Sequence, residues 1–570
     1  MRFRRMWRLA LTLAVVSMLA ALLAAPAAAR LGDEPESGSG FPGNEVPVQI
    51  LALNDFHGNI NTVSTSFGGV GGADFLAANI AAREEGVGRS LLVSAGDMIG
   101  ASPLISALFH DEPTIEAMNL IGMDVAGVGN HEFDEGKREL RRMKRGGTHP
   151  FDGDFGGTVF EGSEFPWLST NVIVNKTQLP LFKKPFRIKK AGGVKIAFLG
   201  LTLEGTPTIV TPSGVKGLTF LDEVATINEW VEYLQVTRGV ESFVILLHEG
   251  GSSDGGQNDC GTELVGPIAD ITRGLDPAVD LVIAGHTNDE FVCYFPDNDI
   301  WVTMADNAGR LFTDIDTTVN TYTGDMTIVS IENVSNLRDG VTPNSEVRAL
   351  IDLYDGLSAP LANQIIGTTT GDITRTNNAA GESALGDVIA DAQLSATEGP
   401  GVGDAVIAFM NPGGIRNDVL FAPTGAEGAG ELTYGEAFGV QPFGNSLVTM
   451  TLTGAQIDAL LELQFDNPGV GEMRVLQVSE GFTYEWSAAA PTGSKVDAST
   501  IMLNGVVLDS ATGYRVTVNS FLADGGDNFS VLTAGTDRLG GEIDLDALVT
   551  YFGANSPVAP GLQNRITMTP

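Results

Sequence analysis

Four of the six histidines, His57, His131, His248 and His286, stand in polar or glycine-containing loops that follow apolar runs. Oxygen donors accompany them. Asp55 lies two residues before His57, Asn130 directly before His131 and Asn288 two residues after His286, and Asp97 follows another apolar run. In an extended Asp-x-His segment both side chains lie on one face and can bind one metal ion. A mixed oxygen and nitrogen donor set suits Zn, Mn or Fe better than Ca or a thiolate site. Taken singly, each histidine reads as an ordinary hydrogen-bonded residue, and His110 and His149 keep that reading. The joint pattern does not, because separate loops of one unit offer ligands that can converge.

Positioning these loops requires an α/β framework. Strands are predicted over 47–54, 90–95, 194–201, 242–247 and 280–285, each followed by polar residues. In open α/β architectures the loops beyond the carboxyl ends of strands carry ligand chemistry, and NDFHG, GDMIG, HEGG and GHTND occupy those positions. Near residue 335 the pattern changes to TPNSEVRALIDLYDGLSAPLANQIIG, whose polar start and helical apolar spacing predict a connecting helix. A second unit mixing strands and helices follows: strand-like IIGTTTGDI, helical SALGDVIADAQLSA, then AVIAFMNPGGIRND, SLVTMTLTG and YRVTVNSFLADGGDNF.

The basic cluster MRFRRMWR, the apolar run behind it and the small residues APAAA have the order of a secretory leader over 1–29, with a Gly/Ser-rich linker over 30–46. No other apolar run reaches spanning length, so a soluble protein outside the cytoplasm or in the cell envelope is expected once the leader is removed. Cys260 and Cys293 are the only cysteines, and an exported chain with two is expected to join them in a disulfide. A net charge of −38 argues against general binding to nucleic-acid polymers. Small anionic substrates remain compatible, because a bound divalent cation reverses the local potential. The basic segment KRELRRMKRGG, 137–147, reads as a solvated helix face with some attraction for anions.

The order D-x-H, G-D, G-N-H-E-F-D, H, G-H-x-N resembles the calcineurin-like metallophosphoesterases. In the second unit, Asn411-Pro412-Gly413-Gly414-Ile415-Arg416, Pro442-Phe443-Gly444 and the run from Asn519 to Asp527 resemble the C-terminal domain of the 5′-nucleotidase family. The resemblance implies a four-layer α/β/β/α metallophosphoesterase domain over 47–335, a connecting helix over 336–364 and an α/β nucleotide-binding domain over 365–570. It implies two divalent metal ions, with Zn or Mn favoured. Asp55, His57, Asp97 and Asn288 would hold one; Asp97, Asn130, His248 and His286 would hold the other, with Asp97 bridging. Such a pair activates water for attack on a phosphate ester. His131 would stabilise the transition state or assist the leaving group, oriented by Asp134, whose plainer role is a helix N-terminal carboxylate.

For the substrate the resemblance implies a base held between Phe443 and Phe521, with Asp527 on the ribose hydroxyls. Arg416, after Gly414, could hold a phosphate by a two-pronged contact, and Asn411 would contribute an amide. Familiar relatives carry arginine just before the helix matching SALGDVIADA, where this chain has Asn377 to Glu382, leaving Arg375 as the nearest candidate. The expected activity is release of phosphate from nucleoside 5′-monophosphates. The missing arginine keeps open a 2′,3′-cyclic-nucleotide phosphodiesterase or a UDP-sugar or nucleotide pyrophosphatase. A nucleotide-binding surface protein without turnover is the competing reading from outside enzymes.

Overall fold

The computed structural model describes residues 44–155, 159–211 and 213–570. The expected leader lies outside the described residues, as does the linker up to residue 43. The first unit contains two six-stranded sheets. In one, Glu45–Leu53 runs parallel to Ser90–Ser94, which is followed across the sheet by Val125–Gly127 and Trp167–Leu168. In the other, Val194–Thr202, Ser242–His248, Val279–Ile283 and Ile300–Ala305 are parallel neighbours.

Alternation along these strands creates the layers, because successive side chains leave a strand on opposite faces. Leu51 and Leu53 enter a core shared with Leu76 and Ile80 of helix Ala73–Glu84 and Ile115 and Met118 of helix Glu112–Ile121. Val48, Ile50 and Ala52 face the other way and meet Ile196, Phe198, Val244 and Leu246 of the second sheet. The outer face of that sheet buries Leu199, Leu201 and Ile245 against Ile227, Val231 and Leu234 of helix Glu223–Arg238. Helix, sheet, sheet and helix therefore stack in four layers. Each fully buried side chain of this size contributes roughly 1.5–3 kcal/mol.

The hairpin of Leu311–Asn320 and Met326–Ser335, which pairs antiparallel with Glu45–Leu53, was not among the expected strands. Its sequence is rich in Thr, Asp and Asn, and its partner strand lies far away in the chain, so local hydrophobic pattern carries little signal for it.

Helix Ser345–Ala362 runs between the units. The Asn344 side chain caps it by accepting from the amides of Glu346 and Val347. Val347, Ile351 and Tyr354 join the outer core of the first unit. The second unit is built on a five-stranded sheet in the order Gln477–Val478, Ile407–Met410, Gly513–Asn519, Ser446–Thr453, Thr536–Ile543. Ile407 and Phe409 face one core, with Leu452, Leu460 and Val516. Met410 faces the other, with Leu385 and Ile389 of helix Ala384–Thr397.

Candidate metal centre and the adjoining cleft

Asp55, Asp97 and Asn130 each follow a strand of the first sheet, and the three strands are neighbours. His248 ends Ser242–His248 and His286 lies just beyond Val279–Ile283, neighbours in the second sheet. The two sheets thus deliver their loops to one place. The Asp-x-His segment differs from the extended form expected of it: φ is 47° at Asp55 and 48° at His57. Asp97, His286 and Asn288 also have positive φ, between 48° and 77°. Asp, Asn and His tolerate this left-handed region better than most residues. A tight turn rather than a pleat brings His57 Nε2 to 3.8 Å from Asp55 Oδ1. Glycine is required at Gly129, where a Cβ would lie 2.2 Å from Asp97 Oδ1.

Asp97 is the meeting point. Its Oδ2 lies 3.0 Å from His248 Nε2 and 3.8 Å from His57 Nε2, and its Oδ1 accepts from the His131 amide at 2.8 Å. Asn130 Oδ1 is 3.2 Å from His248 Nε2. Two potential metal-holding groups, His57 with Asp97 and His131, and Asp97 with His248 and His286, share this carboxylate. Asp55 accepts from the His286 amide with both oxygens, at 3.1 and 2.9 Å, and from Asn54 Nδ2 at 2.9 Å.

Divalent cations fit these residues on two further observations. His57 Nδ1 lies 2.9 Å from the Gly100 carbonyl and His248 Nδ1 lies 3.1 Å from that of Ala95. Each carbonyl holds a proton on Nδ1 and leaves Nε2 facing Asp97, the arrangement in which imidazoles ligate metals. Asn288 Oδ1 is buried with no hydrogen-bond partner among the described residues, a cost that a coordinated cation removes.

Burial pushes the Asp55 carboxyl up to about 6 and the His57 and His286 imidazoles down to about 3. Both imidazoles are therefore neutral near pH 7, as ligation requires. Burial also opposes charge on His248 and Asp97, but their pairing outweighs it. His248 rises to about 10, and Asp97, facing His248 and His131, falls below the usual carboxylate range. His248 must give up that proton to ligate.

His131 Nδ1 lies 2.7 Å from Asp134 Oδ2. Burial would lower His131, but Asp134 and Asp97 together raise it. The second unit reaches this point. The Phe443 ring lies 5.7 Å from the His131 ring with 12° between the planes, and the Arg416 guanidinium lies 5.9 Å from the Phe443 ring. Arg416 is close enough to Asp97, Asp134 and Asp55 to feel their charges, while burial and the neighbouring Arg375 lower its guanidinium. A cavity of about 100 Å³ lies between His131, Asp134, Pro442 and Phe443.

Asn411 Nδ2 donates to Asp527 Oδ2 at 2.7 Å. Gly414 is buried directly behind Asn411. Phe521 packs under Gly526 and makes no ring contact with Phe443 among the described residues. Cys260 and Cys293 form a disulfide whose loop contains His286 and Asn288.

Two further residues were not anticipated. Glu132 is buried and accepts from the amides of Asp97, Met98 and Gly129, tying two ligand loops together. Its place beside His131 is a sequence signal for such a role. Arg474 Nη1 lies 3.2 Å from Asp527 Oδ1. No local pattern marks it, since its partner lies in a distant loop.

Residues 48–289 match the calcineurin-like phosphoesterase family, and residues 365–534 match the 5′-nucleotidase C-terminal domain. Cell wall protein Lmo0130 of Listeria monocytogenes is 32% identical over 541 residues, 89% of this chain and 67% of that protein. Endonuclease YhcR of Bacillus subtilis is 30% identical over 541 residues, 92% of this chain but 41% of that protein, so the chain spans less than half of that relative. The crystal structure of a 5′-nucleotidase precursor from Thermus thermophilus superposes with a TM-score of 0.72 at 26% identity, covering 92% of this chain and 99% of that one. No helix among the described residues is long and apolar enough to cross a membrane. Because both domains match in this order and relatives align along nearly all of the chain, the protein belongs to the 5′-nucleotidase family of metallophosphoesterases, hydrolases that work with divalent metal ions.

Proposed function

We propose that the protein is an exported nucleotidase that releases phosphate from nucleoside 5′-monophosphates at a dinuclear metal centre. The division proposed is a catalytic unit over 47–335, a connecting helix over 336–364 and a substrate-binding unit over 365–570. The observation that carries the reading is the meeting of Asp97, shared by two ligand groups, with Arg416 and Phe443 from the other unit beside His131.

Asp55, His57, Asp97 and Asn288 would hold one cation, and Asp97, Asn130, His248 and His286 the other. Two divalent ions there supply Lewis acidity, neutralise phosphate charge and lower the pKa of water. The protein's own groups do the rest. Asp134 holds the His131 proton on Nδ1 and stabilises the imidazolium, leaving Nε2 to give a proton to the departing ester oxygen. Arg416 adds positive charge at the phosphate, and its half-buried setting strengthens that contact. Phe443 and Phe521 hold the base by stacking, and Asp527, kept in place by Asn411 and Arg474, meets the ribose. Phe443 stacks on His131, so freeing its ring to hold a base with Phe521 requires a shift between units. The secretory pattern of residues 1–29 and the similarity to a cell wall protein support a place outside the cytoplasm.

A second reading has its own observation. No arginine occurs from 377 to 382, while Arg375 lies beside Arg416. A phosphate clamp built this way leaves room for diphosphates or cyclic nucleotides. Phosphate release from AMP, ADP, UDP-glucose and 2′,3′-cyclic AMP with Zn, Mn, Co or Mg tests both readings. AMP should be hydrolysed fastest. Faster turnover of another member reassigns the substrate, and no turnover of any with any metal rejects the proposal.

A further inference from the structure

The segment 137–147 is basic for a reason that a solvated helix face does not explain. Between residues 137 and 195 the chain places 13 of its 33 Lys and Arg against five Asp and Glu, a local net charge of +8 in a chain of −38. Helix Gly136–Arg145 starts two residues after Asp134, and Lys144 and Arg145 stand in its last turn. Cations there complement the helix dipole. That accounts for the helix but not for Lys184 and Arg187, which arrive from the edge strand Phe186–Ala191 and the turn before it. Lys144 packs over the Phe182 ring at 5.2 Å. Burial, with Arg145, Arg187 and Lys184 around it, holds its ammonium below the usual lysine range. Arg187 Nε is buried without a hydrogen-bond partner among the described residues. No carboxylate pairs with any of the four among the described residues, although the chain carries 71 acidic groups.

Gathering like charges is unfavourable unless an anion offsets it. The geometry points to a binding track for the phosphodiester chain of a short single-stranded oligonucleotide, running from the metal centre along Arg138 and Arg141 to Lys144, Arg145, Lys184 and Arg187. Arg138, Arg141 and Arg145 are spaced i, i+3 and i+7, so they line one face of the helix. Ten helical residues span about 15 Å, which sets the cluster a few nucleotides away from His131. A single phosphate cannot bridge that distance, whereas a chain of regularly spaced phosphates can. The inference rests on the phosphoester-hydrolase reading of the metal centre and extends its substrate class beyond mononucleotides.

The test is fluorescence anisotropy of the metal-loaded protein with a labelled, phosphorothioate-linked single strand across a salt series. Three or four phosphate contacts predict a slope of log affinity against log salt of roughly −2 to −3. Arg145→Glu with Lys184→Glu, both at exposed positions, and separately Arg187→Gln, should each weaken binding at least tenfold, the first flattening the slope by about 1.4 and the second by about 0.7. AMP hydrolysis by the same preparations should be unchanged, which also shows that they are folded. Wild-type affinity in both variants overturns the track. So does a wild-type protein that hydrolyses AMP without binding the strand, or one whose cluster binds phosphatidylglycerol vesicles but not the strand. Strand binding without hydrolysis of AMP would instead overturn the nucleotidase reading and leave the track standing.

Discussion

Two groups of histidines sit in this molecule among carboxylates, and they are built for opposite purposes. At the metal centre, backbone carbonyls hold Nδ1 of His57 and His248, Nε2 faces Asp97, and the Asn288 oxygen is left without a partner. In the second group His110 stacks on His149 at 3.7 Å, and its two ring nitrogens meet Glu135 at 2.8 Å and Asp152 at 3.1 Å. Each His110 nitrogen is occupied by a carboxylate, so the ring is a protonated ion-pair partner with no lone pair to offer. Proximity of histidine to carboxylate therefore does not define a metal site. Imidazoles whose Nδ1 is held by a backbone carbonyl and whose Nε2 is turned to a shared carboxylate, beside an unsatisfied buried acceptor, do.

The comparison breaks first at Asp97. Asp97→Asn removes the shared carboxylate while keeping its shape, and should lower kcat for AMP by roughly a thousandfold or more with folding intact. Near-normal turnover of the metal-loaded variant would place the chemistry elsewhere. His131→Ala should cost about a hundred- to ten-thousandfold in kcat while metal content stays unchanged. A parallel loss of metal would make His131 a ligand instead.

Much of the first group was legible in the sequence because the fold places strand ends and ligand loops together. NDFHG and GDMIG follow neighbouring apolar strands of one sheet, and HEGG and GHTND follow neighbouring apolar strands of the other. The turn that makes Asp55 and His57 converge was not legible, since left-handed φ at Asp and His leaves no periodic signature. Nor was the hairpin from 311 to 335, whose register depends on a strand some 265 residues away. In the cleft, Phe443 could be read as an aromatic in a Pro-Phe-Gly turn, but its place against His131 depends on how two units dock. Arg474 was invisible for the same reason: its salt bridge to Asp527 is purely tertiary.

A smaller effect sharpens the contrast between metal chemistry and substrate holding. Phe443→Ala should raise KM for AMP by about five- to a hundredfold, the value of a lost base stack, with kcat much less affected. A fall in kcat with KM unchanged would mean that Phe443 acts on His131 instead. The smallest effect belongs to the second histidine group. Burial would lower His110, but Glu135 and Asp152 outweigh it and lift the imidazole to about 9. A histidine whose folded value is raised contributes stability that is fully present below its unfolded value near 6.5 and lost as pH rises through about 9. His110→Gln should therefore lower Tm by a few degrees at pH 6 and hardly at all above pH 9, with metal content and AMP turnover unchanged. A Tm difference that persists at pH 10 would show that packing rather than charge is lost.

Metal content measured alongside activity tests the central claim most directly. Elemental analysis of the purified, metal-loaded protein should find two equivalents of divalent ion per chain, both retained in His110→Gln and at least one lost in Asp97→Asn together with AMP hydrolysis. One equivalent or none in a fully active wild-type protein, or two equivalents retained in Asp97→Asn, would contradict the shared-carboxylate centre.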